Sequence, residues 1–456
     1  MKKIKNQVAN FDHYTLYSQT NISEMKKGIF ILTMLALFGC QEKTTESFMT
    51  FGKALNYFGE IEEICNLDNG KLWGENLYGA IMFVDRTTRR VIANMPDEEG
   101  MLKPNTGVYT GNLPRDHIIN NAPINYGGVL FALVPIPATE DEYRIKTAII
   151  HSLFHKFQSK KGIGSRNYNT SNKDEKQARL WMKLEWNALR KAISGSDVER
   201  KLAVRDALIF RGANREFYPN YVIDENLFEN YEGLATFTYT LFCSNSPAEY
   251  KKNIFEILNG VYAMQSYTRS YGFIHGALYA TLLYDEGFDF KKIDRQNFDL
   301  GEAVRELYSI ELPMLCRDVA GSIAINYDLS TINAEEDKRL IEMRERFNRQ
   351  LSVFTESVVY FELESPYFDF EPERVQSLDT LGTLYNSIRI SDNWGKLTVD
   401  KGGCLIANNF KTIRISAKGF KKERNRYHGD GWNLTLNNDW EMIVIGPNYY
   451  VRKLRP

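Results

Sequence analysis

Two histidines four residues apart, His151 and His155, stand in the run Thr147-Ala148-Ile149-Ile150-His151-Ser152-Leu153-Phe154-His155-Lys156-Phe157-Gln158. Residues at i and i+4 share one face of a helix, so both imidazoles can reach a single metal ion. A two-histidine site needs a third ligand, and Tyr231-Glu232-Gly233-Leu234-Ala235-Thr236-Phe237 offers Glu232. Two imidazoles and a carboxylate are the donor set of metal-assisted hydrolysis, and equally of simple metal binding. Each element also has an ordinary reading. Core histidines bonded to backbone groups would show the same spacing, and Glu232 alone would pass for an exposed helix acid.

Positioning such a set requires helices, and the chain changes texture where they are needed. From about Phe51 to Pro137 it reads as strand-rich, with a hairpin of Ala80–Val84 and Arg90–Ala93 around Asp85-Arg86-Thr87-Thr88-Arg89. Val129–Val134 is a continuous apolar strand ending at Pro135. From about Glu140 to Gln350 apolar spacing near 3.6 predicts helices over Ala178–Ile193, Val198–Phe210, Glu225–Phe242 and Ala334–Leu351. Short strands return at Val358–Leu363, Ser387–Ser391, Lys396–Val399, Thr412–Ser416, Trp432–Leu436 and Met442–Ile445, predicting a C-terminal β-sandwich or barrel. The fold class expected is α+β. The division expected is 51–139 as an N-terminal β region, 140–353 as a helical domain and 354–456 as an all-β domain.

The two motifs together resemble the gluzincin metallopeptidases, whose first helix carries H-E-x-x-H and whose second carries N-E-G-F-A-x-Y. Glu232, Gly233 and Ala235 match the second; Leu234 stands for Phe and Phe237 for Tyr. The 77 residues from His155 to Glu232 are more than many gluzincins have there, which implies a helical insertion. Leu180–Leu189 and Phe210-Arg211 look like parts of uncharacterised secreted gluzincin-like proteins that carry H-E-L-F-H-R-x-Q where this chain has His151–Gln158. The resemblance covers most of the chain after residue 40. It implies a zincin-like helical core, one zinc ion on His151, His155 and Glu232, and a strand over Tyr126–Val134 lying at the edge of the sheet to hold an extended peptide by main-chain pairing.

One position departs from the family. Ser152 occupies the place of the glutamate that takes a proton from water and passes it to the leaving amine. A hydroxyl is no base near pH 7, and general acid–base catalysis is worth about 10²–10⁴ in rate. Two expectations follow. The chain is a zinc-binding pseudo-peptidase that holds a peptide or protein ligand, or it is a hydrolase with a displaced base drawn from Glu185, Glu225 and Glu229. Glu229 and Glu232, three apart, would share a helix face. Tyr231, Tyr271 and His275 are candidate oxyanion partners, Tyr271 being the one carried forward. Glu185 is a candidate for supporting a ligating histidine or for a structural pair with an arginine such as Arg269. The alternative to the whole reading is a metal-free scaffold or binding lipoprotein.

The chain has 456 residues, 43% apolar and 25% charged, so it can bury a sizeable core. Lys plus Arg is 57 against 58 for Asp plus Glu, a net charge of −1, which argues against a dedicated nucleic-acid binder. The basic run Lys418–Arg426 reads as a solvated hairpin. No phosphate-binding loop, dinucleotide fingerprint or serine-hydrolase elbow occurs. Residues Met25–Cys40 order as Lys26-Lys27, an apolar run too short to span a membrane, and Leu37-Phe38-Gly39-Cys40. This resembles a bacterial lipoprotein signal, with Phe38 bulky for its place. It predicts 1–39 as an extension plus signal peptide, lipidation at Cys40, a tether over 40–50 and an anchored protein of the cell envelope. Cys65, Cys243, Cys316 and Cys404 have no metal-ligand spacing; four thiols allow three disulfide connectivities, and the simplest expectation is buried small hydrophobes.

Overall fold

The computed structural model describes residues 49–454, apart from 115–116, 118, 137–138, 167, 371–374 and 379–380. The lipoprotein-like segment, Cys40 and all but the end of the 40–50 tether lie outside the described residues. Among the described residues no helix is long and apolar enough to cross a membrane.

The first element is a helix where strands were expected. In α1 (Phe51–Asp68) the Thr50 side chain accepts from the Lys53 N–H, and Asn69 closes the helix in the left-handed region. Its buried residues are Ala54, Tyr57, Phe58, Ile61 and Cys65, a stripe of helical period. Gly52 and Gly59, poor helix formers, obscure that stripe in the sequence.

A six-stranded sheet follows: β1 (Ile81–Val84), β2 (Arg90–Ala93), β3 (Lys103–Asn105), β4 (Val108–Asn112), β5 (Ile124–Tyr126) and β6 (Val129–Pro135), in the order β3-β4-β2-β1-β6-β5. The β1–β2 hairpin forms as expected, its turn held by Asp85, which accepts from the Thr87 and Thr88 N–H groups. Only the β1–β6 pairing is parallel in this sheet. The two faces of the sheet serve different cores, as alternation dictates. Phe83, Ile81, Ala132 and Val134 join the main core, where Phe58 of α1 stacks on Phe83 at 5.3 Å. Met82, Val84, Phe131 and Leu133 form a separate cluster on the other face. The strand expected at the edge is internal instead: β6 lies between β1 and β5. The run Tyr126–Val129 turns back through Gly127 and Gly128, both at positive φ, and leaves short β5 as the edge.

From residue 142 the chain is helical: α2 (Glu142–Lys160), α3 (Lys176–Ser194), α4 (Asp197–Phe217), α5 (Val222–Phe228), α6 (Leu234–Phe242), α7 (Pro247–Tyr262), α8 (Tyr271–Asp285), α9 (Leu300–Leu307), α10 (Cys316–Ile323) and α11 (Leu329–Val353). α8 is buried on nearly every side, 12 of its 15 residues being inaccessible, so it is the central helix. The single helix expected over Glu225–Phe242 is interrupted. A π turn over Glu229–Gly233 separates α5 from α6.

The C-terminal region is a two-sheet sandwich. One sheet has the order β18-β19-β7-β14-β13-β10-β9 and the other β15-β16-β17-β12-β11-β8. The strands are β7 (Val358–Glu362), β8 (Tyr367–Phe370), β9 (Val375–Ser377), β10 (Thr383–Tyr385), β11 (Ile388–Asp392), β12 (Gly395–Val399), β13 (Cys404–Ile406), β14 (Thr412–Ser416), β15 (Lys421–Glu423), β16 (Arg426–Gly429), β17 (Trp432–Leu436), β18 (Trp440–Ile445) and β19 (Asn448–Lys453). Trp394, Ile413, Ile415, Leu434 and their neighbours fill the space between the sheets. The basic run Lys418–Arg426 is a hairpin between β15 and β16. All four described cysteines are free thiols, and Cys65, Cys316 and Cys404 are buried.

Candidate metal centre

The α2 helix starts at Asp141, whose carboxylate accepts from the Tyr143 and Arg144 N–H groups. From there its helical period sets His151 and His155 on one face. The two Nε2 atoms lie 2.9 Å apart. Glu232 Oε2 is 3.7 Å from His151 Nε2 and 3.4 Å from His155 Nε2. Bonds of about 2.0–2.1 Å to a tetrahedral ion separate neighbouring ligand atoms by roughly 3.3 Å, so these three edges bracket that length. The structure therefore brings His151, His155 and Glu232 together as a group that could bind a metal ion.

The polar state of these atoms fits that use. Glu232 Oε2 is buried and has no hydrogen-bond partner, a costly condition for a carboxylate unless a cation meets it. Burial, and then the neighbouring His155, hold His151 well below its usual pKa, which leaves a neutral ring with a lone pair. His155 is oriented by Gln158. The Gln158 amide donates to the carbonyls of Asn230 at 2.9 Å and Tyr231 at 3.1 Å, so its Oε1 must face the other way, and there it meets His155 Nδ1 at 2.7 Å. A Gln oxygen can only accept, so the His155 proton sits on Nδ1 and the Nε2 lone pair points into the cluster. The Tyr231 ring stacks on His155 at 4.1 Å and fixes its plane. Gln158 was not singled out in the sequence, although it stands three residues after His155, within reach along the helix. Replacing it by Leu is expected to lower divalent-metal affinity by about 10–100-fold, the usual effect of losing a histidine's supporting partner. Competition with a chromophoric chelator measures this; unchanged affinity would mean that Gln158 serves only the fold.

The carboxylate is placed by the π turn. In an α-helix residues three apart lie within roughly 60° of each other, whereas the wider π turn spreads them by roughly 115°. Glu229 and Glu232 therefore do not share a face, as their spacing alone suggested. Glu232 faces the histidines, and Glu229 faces the interior, where Arg211 grips it through two bonds of 3.0 and 2.7 Å. The turn packs tightly on α8: a Cβ on Gly233 would lie 2.6 Å from the Gly276 Cα, and one on Gly276 would lie 2.4 Å from the Glu229 carbonyl oxygen. Both glycines are needed for that approach, which accounts for the Gly of the sequence motif.

The other candidates are engaged elsewhere. Glu185 is fully buried and accepts from Tyr279 at 2.6 Å, with His275 Nε2 at 2.7 Å; its arginine is Arg211 at 3.7 Å. It supports neither His151 nor His155, and Arg269, the arginine suggested by sequence, is exposed. Glu225 is paired with Lys173 and Arg215. Tyr271 does not reach the histidines: its ring is fully buried beside Phe228 and Lys173, and its hydroxyl has no partner. Ser152 is 1% exposed and its hydroxyl is also unpartnered.

Above the triad a cleft of about 490 Å³ opens between Asn120-Asn121-Ala122, the Arg144, Thr147 and Ala148 positions of α2, Tyr239 and Phe273. Among the described residues Glu232 is the only acid that lines it. The cleft thus offers three groups that could hold a metal and, among the described residues that line it, no second carboxylate to move a proton. Comparison with known proteins brings no match to a family model, to a curated protein or to a solved structure.

Proposed function

We propose that this chain is a degenerate gluzincin-like metallopeptidase homologue that binds one zinc ion through His151, His155 and Glu232. It holds a peptide or protein ligand in the cleft above them, with proteolysis weak or absent. The observation that carries the reading is the buried, unpartnered Glu232 Oε2 set against two imidazole Nε2 atoms. Nitrogen and oxygen donors of this kind suit zinc. A zinc ion held here would supply Lewis acidity toward a carbonyl of the ligand. The chain's own residues do the rest: Gln158 keeps the His155 proton on Nδ1, Tyr231 and Phe273 hold the imidazole planes, and Glu232 balances charge. Proton transfer has no group to carry it at Ser152, and Glu185, Glu225 and Glu229 are spent on buried partners. The proposal includes lipid anchorage at Cys40 in the cell envelope, with no nucleic-acid partner.

Metal analysis of the purified chain tests the core of this reading. Native protein is expected to hold zinc at near one equivalent. His155→Ala and Glu232→Gln are each expected to weaken zinc by more than about 100-fold, beyond the effect of a supporting residue. Failure of the native protein to bind zinc would favour a metal-free scaffold lipoprotein.

A further inference from the structure

The sheet β15-β16-β17-β12-β11-β8 buries one face in the sandwich and turns the other outward. In β17 Trp432, Leu434 and Leu436 are buried while Asn433 and Thr435 are exposed; in β12 Leu397 and Val399 are buried while Lys396 is exposed. The strand register carries that alternation across the sheet in two rows. One runs Glu423, Arg426, Thr435, Lys396, Ser391 and Tyr367, each residue opposite the next. The other runs Lys421, His428, Asn433, Thr398, Arg389 and Asp369. With strands about 4.8 Å apart, each row reaches roughly 24 Å.

Charge is uneven along these rows. Lys396, Lys421 and Arg426, with Lys422 and Arg424 of the β15–β16 hairpin, stand at one end, all exposed. Glu423 is the only acid of the two rows at that end. None of the five cations has an ion-pair partner among the described residues. At the far end Arg389 is offset by Asp369 at 3.7 Å. An uncompensated group of like charges on one face raises the local potential and favours an anion that meets several of them together.

The remaining groups narrow the anion. Thr435 stands between Arg426 and Lys396, and Asn433 between His428 and Thr398, so hydroxyl and amide groups alternate with the charges. Tyr367 is 72% exposed at the end of its row and offers a free ring face. Neither row holds an aliphatic side chain that could enter a bilayer. An acid in each row opposes the dense phosphate charge of a nucleic acid.

We infer that this face binds a linear acidic polysaccharide, its carboxylates on Lys396, Lys421 and Arg426, its hydroxyls on Asn433 and Thr435, and one sugar ring on Tyr367. The site does not depend on the metal reading.

Calorimetric titration of the full chain with polygalacturonate tests the inference. Saturable binding is expected, weakening as salt rises, with equal affinity in native protein and in His151→Ala. Lys396→Glu/Lys421→Glu/Arg426→Glu is expected to bind at least about tenfold more weakly, with the unfolding midpoint within error of native. Lys396→Gln/Arg426→Gln removes charge without adding repulsion and is expected to weaken binding in the same direction. Lys201→Glu/Lys252→Glu/Lys338→Glu makes the same change in net charge on exposed helix positions and is expected to leave affinity within about twofold. Tyr367→Ala is expected to cost about two- to tenfold at unchanged salt dependence, and neutral dextran is expected not to bind. Three results would overturn the site: no saturable binding, equal loss in the two triple variants, or tighter binding of duplex DNA or of phosphatidylglycerol vesicles at the same salt.

Discussion

Ser152→Glu is expected to raise zinc-dependent peptide hydrolysis by about 10²–10⁴-fold, the worth of a positioned general base. The position of residue 152 sets the size of the effect. It follows His151 directly and lies one helical turn beyond Ala148, which lines the cleft. The serine hydroxyl is too short to enter that space and is buried without a partner. A glutamate carries its carboxylate two bonds further along the helix face that position 152 shares with Ala148. Hydrolysis of a fluorogenic peptide library by zinc-loaded native and variant protein reads the result. Equal metal-dependent activity in both would refute the account of the missing base. An inert variant that still binds zinc would overturn the proposed likeness of the cleft to a peptidase site.

Arg211→Ala is expected to cost about 3–5 kcal/mol of stability, because it strands charges where water cannot reach them. Arg211 holds Glu229 bidentately, lies 3.7 Å from Glu185 and 3.6 Å from Asp299, and is itself buried. The loss should appear as a lowered urea midpoint at pH 7, together with weakened zinc binding, since Glu229 opens the turn that presents Glu232. A midpoint within error of native would show that the neighbouring Arg215 replaces it. The same network gives an acid limit. Burial alone would raise the Glu225 pKa, but Lys173 and Arg215 hold it down to about 2. A carboxylate depressed on folding contributes stability that is present above the unfolded pKa of about 4.3 and is lost as pH falls toward 2.

How far the sequence reaches is clear from particular residues. The candidate ligands were legible because their geometry is local: four residues of helix relate His151 to His155, and a short motif marks Glu232. The β1–β2 hairpin and β17 were legible for the same reason, through turn chemistry and alternation. Gln158 and Arg211 were not assigned their roles, because each acts across elements, Gln158 reaching the Asn230 and Tyr231 carbonyls and Arg211 reaching Glu229 and Glu185. Spacing cannot reveal partners 72 residues away. The helix α1 was hidden by its two glycines, and β5 by brevity. The divergence of Glu229 and Glu232 was misjudged because a π turn leaves no signature in apolar periodicity.

That turn has a consequence for the rest of the chain. It acts as a phase shift: every residue of α6 faces roughly 100° from where an unbroken helix would set it. Phe237 is buried against Phe290 in the shifted phase. Removing one residue between Glu229 and Gly233 would restore a straight helix only by carrying Glu232 away from the histidines or Phe237 out of its contact. The length of this five-residue stretch is thus as binding a condition on the site as the identity of its glutamate.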